Sequence, residues 1–455
     1  MVACKRCKIK NAILSSRKEP FCDECFVKFI SLKQRKQMMS DEFYQEIFKM
    51  SYPDKKRGQI EADKQNSESN VLVPLSLGSS SLAVLDILND TLTEQKHTHR
   101  GKTGFQLEAL TVCSQDELPE VRQKIEALKL KYTENSDKMT FHIVDRNQFF
   151  SAPSNFQEIK LCIENFHTTS VPLTDNTTTV EEVLFNAPNK TSKEDLLNII
   201  YTYLIKKFAL QGKFKAVIWG HSMTKLADEI ITLTVKGRGS QIANYLDDSS
   251  LDTEFFEEFR NLHPGRDVLL SEIDAYCHIK NLSQFCFNYV VQDTLFYDKF
   301  VSKATNNVKL IRSMTMNELA RQYFDNIEGD YSNVISTVVR TGAKLSNPDM
   351  ELDEKTRCTI CNVIIYKNAV SWLAGITVSK PCTIQTEDEK TNYSAWKAQN
   401  TQTNGTNEAH NSEEDILDIC YGCITTLTGM KDKKLDWVRK DDSAELSDIL
   451  QEYEL

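Results

Sequence analysis

Residues 71–85, Val71-Leu72-Val73-Pro74-Leu75-Ser76-Leu77-Gly78-Ser79-Ser80-Ser81-Leu82-Ala83-Val84-Leu85, decide how the chain is read. An apolar run of strand length enters a turn of small residues, and the turn enters apolar positions at helical spacing. Strand, glycine-containing turn and helix start, in that order, outline a phosphate-cradling loop. The helix start offers free N–H groups and the positive end of its dipole. Pro74 is the objection, because a proline inside a central strand removes a ladder donor.

A second segment, Val217 to Ile230 (VIWGHSMTKLADEI), repeats the pattern and turns at Gly220-His221. Around these two, strands are expected at 70–75, 106–113, 139–145 and 214–219. Helices are expected at 80–97, 117–134, 191–210, 222–236 and 269–280. Strands alternating with helices imply a parallel sheet covered on both faces. Such sheets take ligands beyond the carboxyl ends of their strands, where both segments lie.

At 455 residues, 40% hydrophobic and 26% charged, the chain has the composition of a globular protein of two or three domains. No apolar run reaches the ~18–20 residues of a membrane helix, and no membrane partner is expected. The opening MVACKRCKIK has no apolar leader core, which points to the cytoplasm. The net charge is −10, yet residues 1–57 hold fourteen Lys or Arg against seven Asp or Glu. A basic end on an acidic body suits either a phosphate-contacting arm or a merely solvated charge excess.

Eight of the thirteen cysteines form four Cys-x-x-Cys pairs: Cys4/Cys7, Cys22/Cys25, Cys358/Cys361 and Cys420/Cys423. Fourteen residues separate the first two pairs and 58 the last two. Two pairs at each end supply two sets of four thiolates, which zinc holds as closed structural tetrahedra. A thioredoxin-like redox motif would instead place one pair beside a βαβ unit. Residues 383–414 are Thr/Asn/Glu-rich with almost no aliphatic side chains, and are expected to be disordered. The second ribbon tolerates them because loop-closure entropy grows only logarithmically with length. The lone cysteines Cys113, Cys162, Cys277, Cys286 and Cys382 read as packing.

These features divide the chain into a zinc ribbon with a following helix (1–52), a polar linker (53–69) and a sheet domain (70–347). A second zinc ribbon (348–430) and a tail (431–455) follow, the tail ending in a short amphipathic helix behind Ser443.

Both switch-point segments resemble those of the PP-loop ATP pyrophosphatases, whose loop reads Ser-Gly-Gly-x-Asp-Ser. Here the loop is Ser76-Leu77-Gly78-Ser79-Ser80-Ser81, with Leu77 in place of the first glycine and Ser80 in place of the aspartate. Active relatives also carry Gly-His-x-x-Asp-Asp-x-x-Glu-Thr; Gly220 and His221 remain, but Thr224 and Lys225 replace both aspartates. The resemblance implies an α/β fold of the adenine nucleotide α-hydrolase-like type, with a parallel sheet flanked by N- and C-terminal zinc ribbons. The nucleotide loop is degenerate; no nucleotide and no catalytic residue is expected.

More narrowly, the chain resembles the non-catalytic PP-loop paralogues of tRNA wobble-uridine thiolation. The residues carrying this are Cys4-Lys5-Arg6-Cys7, Phe21-Cys22-Asp23-Glu24-Cys25-Phe26, Lys236-Gly237-Arg238-Gly239 and His263-Pro264-Gly265-Arg266-Asp267. Ser336-Thr337-Val338-Val339-Arg340-Thr341-Gly342 and Cys420-Tyr421-Gly422-Cys423 complete them. The resemblance implies a heterodimer with a catalytic thiolase paralogue that 2-thiolates the wobble uridine of tRNAs for Lys, Glu and Gln. Sulfur would come from a thiocarboxylated ubiquitin-like carrier, which also links the system to protein urmylation. This chain would supply tRNA binding and stabilise its partner.

Lys5, Arg6, Lys8, Lys236 and Arg238 are the candidate tRNA contacts. The segment Lys236–Gly239 equally suits a helix C-cap with Gly237 in the left-handed conformation. Arg266 and Arg340 are phosphate contacts or ion-pair partners, and His221 is a vestige of a nucleotide site or a hydrogen-bonded turn residue. His263 has no evident metal partner in the sequence. Two alternatives stand beside the non-catalytic subunit: an active adenylating thiolase or amidating ligase, and a zinc-ribbon scaffold with no RNA role.

Overall fold

The computed structural model describes residues 2–53, 58–151, 156–162, 167–173, 178–255, 258–299, 313–347, 356–369, 372–373, 384, 386–403 and 415–438. The N-terminal module holds a hairpin, β1 (Leu14–Ser16) and β2 (Glu19–Phe21), followed by α1 (Asp23–Gln37) and α2 (Glu42–Phe48). Helix α3 (Gln59–Glu68) occupies much of the segment expected to be a linker. Next come β3 (Asn70–Pro74), α4 (Ser79–Thr98), β4 (Gln106–Cys113), α5 (Leu118–Lys131) and β5 (Met139–Asp145).

A hairpin of β6 (Phe156–Cys162) and β7 (His167–Leu173) leads to α6 (Val180–Asn186) and α7 (Lys190–Gln211). The chain continues through β8 (Ala216–Ile218), α8 (Met223–Val235), α9 (Ile242–Leu246), β9 (Arg260–Leu262) and α10 (Leu270–Ile279). Helix α11 (Met316–Gly342) opens on a Thr315/Glu318 capping box and is interrupted at Tyr331. Finally come α12 (Glu387–Thr403), β10 (Asp415–Ile416), α13 (Tyr421–Leu427) and β11 (Lys434–Val438).

The central sheet has five parallel strands in the order β5-β4-β3-β8-β9. Connections run one way from β3 to β5 and the other way from β8 to β9, so the switch point lies between β3 and β8. Alternation along each strand sorts side chains onto two cores. Val71, Val73, Leu107, Ala109, Ala216 and Ile218 share one with Phe21, Phe26, Ile30, Tyr44 and Phe48 of the N-terminal module. Leu72, Leu110 and Val217 share the other with α7, Cys358, Cys423 and Trp437. The two cysteine-bearing ends therefore cover opposite faces of one sheet.

Pro74 is the last residue of β3, and β3 pairs with β8 only through Val71 and Leu72. Its missing donor interrupts no ladder there, and the Leu75 N–H closes onto the Leu110 carbonyl at 2.8 Å. A second, four-stranded antiparallel sheet, β10-β7-β6-β11, was not expected. It joins residues 156–173 to 415–438, so the C-terminal ribbon is built onto the sheet domain, and part of the expected tail is a strand. Of residues 383–414, expected to be disordered, Glu387–Thr403 form α12 and 404–414 lie outside the described residues. Thr386 and Glu389 exchange capping bonds of 3.3 and 3.1 Å there, and Lys390 pairs with Glu387. Over residues 386–395, which are exposed, local capping and i,i+3 pairing support the helix. The amphipathic helix expected after Ser443 lies outside the described residues.

Candidate functional site

At the carboxyl ends of β3, β4 and β8 lies a cavity of about 560 Å³. Its floor includes Ser76, Leu77 and Ser81 of the loop, and Trp219, Gly220 and His221 line the facing turn. Within the loop the polar groups bond to one another. The Ser76 and Ser81 hydroxyls lie 3.2 Å apart, Ser81 Oγ donates to the Gly78 carbonyl, and the Gly78 N–H faces Ser76 Oγ at 3.4 Å. Leu77 sits at φ 56°, the left-handed region that favours glycine. Its side chain is fully buried in the core, and its carbonyl accepts the Phe287 N–H at 2.9 Å. Ser79 is buried and Ser80 half-buried at the start of α4. Gly220 is required sterically, since a Cβ there would lie 2.6 Å from Ser81 Cα.

One wall of the cavity is a row of rings. Trp219 stacks on His221, and His221 on both Tyr245 and His263, with centroids 5.6 to 6.0 Å apart. His221 Nδ1 lies 3.1 Å from the Tyr245 hydroxyl. Burial, then the neighbouring His263 and Lys225, holds its pKa well below the usual histidine range. His263 Nδ1 meets Asp248 Oδ1 at 2.7 Å, and Asp248 Oδ2 accepts from Tyr44 Oη and Arg266 Nη1, each at 2.8 Å. Burial works against the Asp248 anion, but His263 and Arg266 hold the carboxyl below its ordinary pKa. Arg266 is thus an ion-pair partner, and Tyr44 ties the N-terminal module to the switch point.

Beneath the loop, Asp274 accepts from Tyr289 Oη at 2.7 Å and from the Gln292 N–H at 3.0 Å, and burial raises its pKa to about 6. Asp228 is likewise raised to about 6 by burial, against the pull of Arg321. Cys277 donates to the Ser79 carbonyl at 3.4 Å, and burial raises the Cys113, Cys277 and Cys286 thiols, Cys286 to about 12. Protonated, shielded thiols are poor nucleophiles.

Of the candidate tRNA contacts, Lys5, Arg6 and Lys8 are exposed, with Lys5 and Arg6 leaning on Glu19 at 2.6 and 3.3 Å. Lys236 and Arg238 require a correction. Their side chains are 7% and 6% exposed, turned inward onto Asp195 of α7. Lys236 Nζ reaches Asp195 Oδ1 at 2.5 Å, and Gly237 takes the left-handed C-cap at φ 73°. Nothing local in the sequence marks Asp195, Asp248, Tyr44 or Tyr245, whose partners lie far along the chain.

The four sulfurs of Cys4, Cys7, Cys22 and Cys25 lie within 4.8 Å of one another, as do those of Cys358, Cys361, Cys420 and Cys423. Cys7–Cys22 and Cys361–Cys420 are 3.9 and 3.8 Å apart. Sulfurs ~2.3 Å from a tetrahedral ion stand about 3.8 Å from each other, so both sets fit a bound metal. In the second set the Cys420 N–H points at Cys358 Sγ and the Cys423 N–H at Cys420 Sγ, both at 3.4 Å.

Residues 315–425 match the family model described as cytoplasmic tRNA 2-thiolation protein 2. The chain is 72% identical over 456 residues to the Kluyveromyces lactis protein of that name, covering 100% of this chain and 98% of the relative. Identity to the Vanderwaltozyma polyspora protein is 44%, over 100% of this chain and 97% of that one. For Saccharomyces cerevisiae it is 37%, over 99% and 98%. Among solved structures, the U34-tRNA thiolase NcsA from Methanococcus maripaludis, with its 4Fe–4S cluster, superposes with a TM-score of 0.50. It matches 79% of this chain and 96% of that one at 13% identity, which is a likeness of fold.

Proposed function

The chain belongs to the cytoplasmic tRNA 2-thiolation protein 2 family, and from that premise we propose that it is the non-catalytic subunit of a tRNA thiolation heterodimer. A catalytic PP-loop paralogue performs the adenylation and sulfur transfer on the wobble uridine of tRNAs for Lys, Glu and Gln. A thiocarboxylated ubiquitin-like carrier supplies the sulfur, in the cytoplasm. This chain binds tRNA and stabilises the partner. Zinc occupies both four-cysteine sites and fixes the two ends on the faces of the degenerate PP-loop domain.

The observation that carries this is Leu77. Where the related nucleotide loops carry glycine, this turn is filled from the core side by a buried leucine at φ 56°, and the Phe287 N–H closes its carbonyl. The retained cavity is what favours the alternative of an active adenylating enzyme. For tRNA, the N-terminal module offers exposed Lys5, Arg6 and Lys8, with Lys18, Lys28 and Lys36 also exposed.

The test is tRNA affinity of the purified chain at several salt concentrations. Affinity is expected to fall linearly on logarithmic axes, as counterion release requires. Reversing Lys5 and Lys8 to Glu weakens binding to all tRNAs alike and lowers the slope by about 1 for each phosphate that is no longer neutralised. Affinity insensitive to salt and to both reversals would favour the scaffold without an RNA role.

A further inference from the structure

The segment Lys236–Gly239 and the Cys420-Tyr421-Gly422-Cys423 turn are locked into each other. A Cβ on Gly237 would lie 2.6 Å from the Tyr421 ring, and one on Gly422 would lie 2.3 Å from Arg238 Cγ. Each glycine makes room for the other segment's large side chain. The Arg238 side chain therefore lies across the metal-ligand turn. Its Nη1 reaches Cys423 Sγ at 3.5 Å, and its Nη2 donates to Thr426 Oγ1 at 3.0 Å. Thr426 Oγ1 in turn donates to Asp195 Oδ2 at 3.1 Å.

We propose that Arg238 is an outer-sphere ligand of the C-terminal four-cysteine metal site, the buried cation that makes a dianionic tetrathiolate tolerable there. Four thiolates around one divalent ion carry a net charge of −2. Cys358 and Cys423 are buried and Cys361 and Cys420 half-buried, so that charge is partly withdrawn from water. Burying charge costs several kcal/mol per ion unless it is paired and hydrogen-bonded. The Cys420 and Cys423 N–H groups supply part of the compensation. Asp195 is shared, with Lys236 Nζ at 2.5 Å from its Oδ1 and Arg238 Nε at 3.8 Å from its Oδ2, so the Nη1 end of Arg238 is the part directed at the sulfurs.

The N-terminal set is the contrast. Lys5, Arg6 and Lys8 beside it are exposed, and among the described residues no buried cation donates to its sulfurs. Cys361, Asn362, Lys236 and Arg238 also line the cavity, so the ion and Arg238 together hold one of its walls.

The test is metal release from the full-length chain, using a thiol-blocking reagent and a zinc-sensitive dye. Wild type is expected to release two ions in two phases, and Cys4→Ser abolishes the N-terminal phase and so assigns the other. That stoichiometry checks the zinc assignment itself, separately from the role of Arg238. Arg238→Met keeps the aliphatic stem and removes the charge. Loss of an outer-sphere partner typically costs about 10–100-fold in metal affinity. The C-terminal phase is expected to accelerate on that scale, with the N-terminal phase unchanged. Arg238→Lys falls between, because an ammonium keeps the charge without the fork.

Thr426→Val, which frees one end of the guanidinium, accelerates the same phase several-fold and carries the test if Arg238→Met does not fold. Release at the wild-type rate from the folded variants, even with a lowered melting temperature, would make Arg238 a packing residue and overturn the proposal.

Discussion

Replacing Leu77 with glycine separates the two roles of the loop. The left-handed backbone at φ 56° costs a leucine about 1–2 kcal/mol relative to glycine, so the substitution relieves strain. Against this, the side chain is 0% exposed, and emptying a buried leucine position costs about 3–5 kcal/mol. The net expectation is a loss of about 1–4 kcal/mol, lowering the melting temperature by several degrees in a domain of this size. Urea unfolding followed by tryptophan fluorescence measures it, with calorimetric titration of magnesium-ATP alongside. No micromolar nucleotide binding is expected from the variant, because Ser80 and Lys225 still stand where the related enzymes carry aspartates. A variant as stable as wild type would refute the filled turn. Micromolar ATP binding from this single change would refute the loss of the surrounding chemistry.

Asp195→Asn leaves Lys236 and Arg238 buried beside a neutral amide, and is expected to cost about 3–5 kcal/mol in chemical denaturation. Asp274 has a pKa of about 6 in the fold against an ordinary 3.8. Its contribution to stability is present in full below pH ~4 and is lost as pH rises through ~6, a change of about 3 kcal/mol. Asp274→Asn should therefore flatten the stability profile between pH 4 and 6.5 and leave the protein at least as stable as wild type at pH 7.5; a parallel profile would contradict the assignment. Tyr44→Phe removes one of the donors to Asp248 and should lower stability by about 1–3 kcal/mol. Chelation of the metal should loosen β6, β7 and β11 in hydrogen exchange together with the ribbon, because one sheet joins them.

The central sheet was legible because its strands carry apolar runs and its helices a clear period, both readable locally. Strand β9 escaped, since three residues, Arg260–Leu262, carry no periodicity. The second sheet escaped for another reason: β6 pairs with β11 across more than 250 positions, and each strand is short and half-polar. The cysteine sets were legible from spacing alone, the lost aspartates only through the resemblance. Charged residues were the hardest to place. Lys236 and Arg238 look in sequence like a phosphate-binding run, and nothing local reveals that Asp195 and Cys423 turn them inward.

The central claim is that the cavity has outlived its nucleotide chemistry and that a partner supplies it. The most direct measurement follows AMP and 2-thiouridine formation from tRNA, ATP and a thiocarboxylated carrier, with this chain alone and with the catalytic paralogue added. The account predicts neither product from the chain alone and both from the pair. Stoichiometric AMP and thiolated tRNA from the purified chain by itself would contradict it.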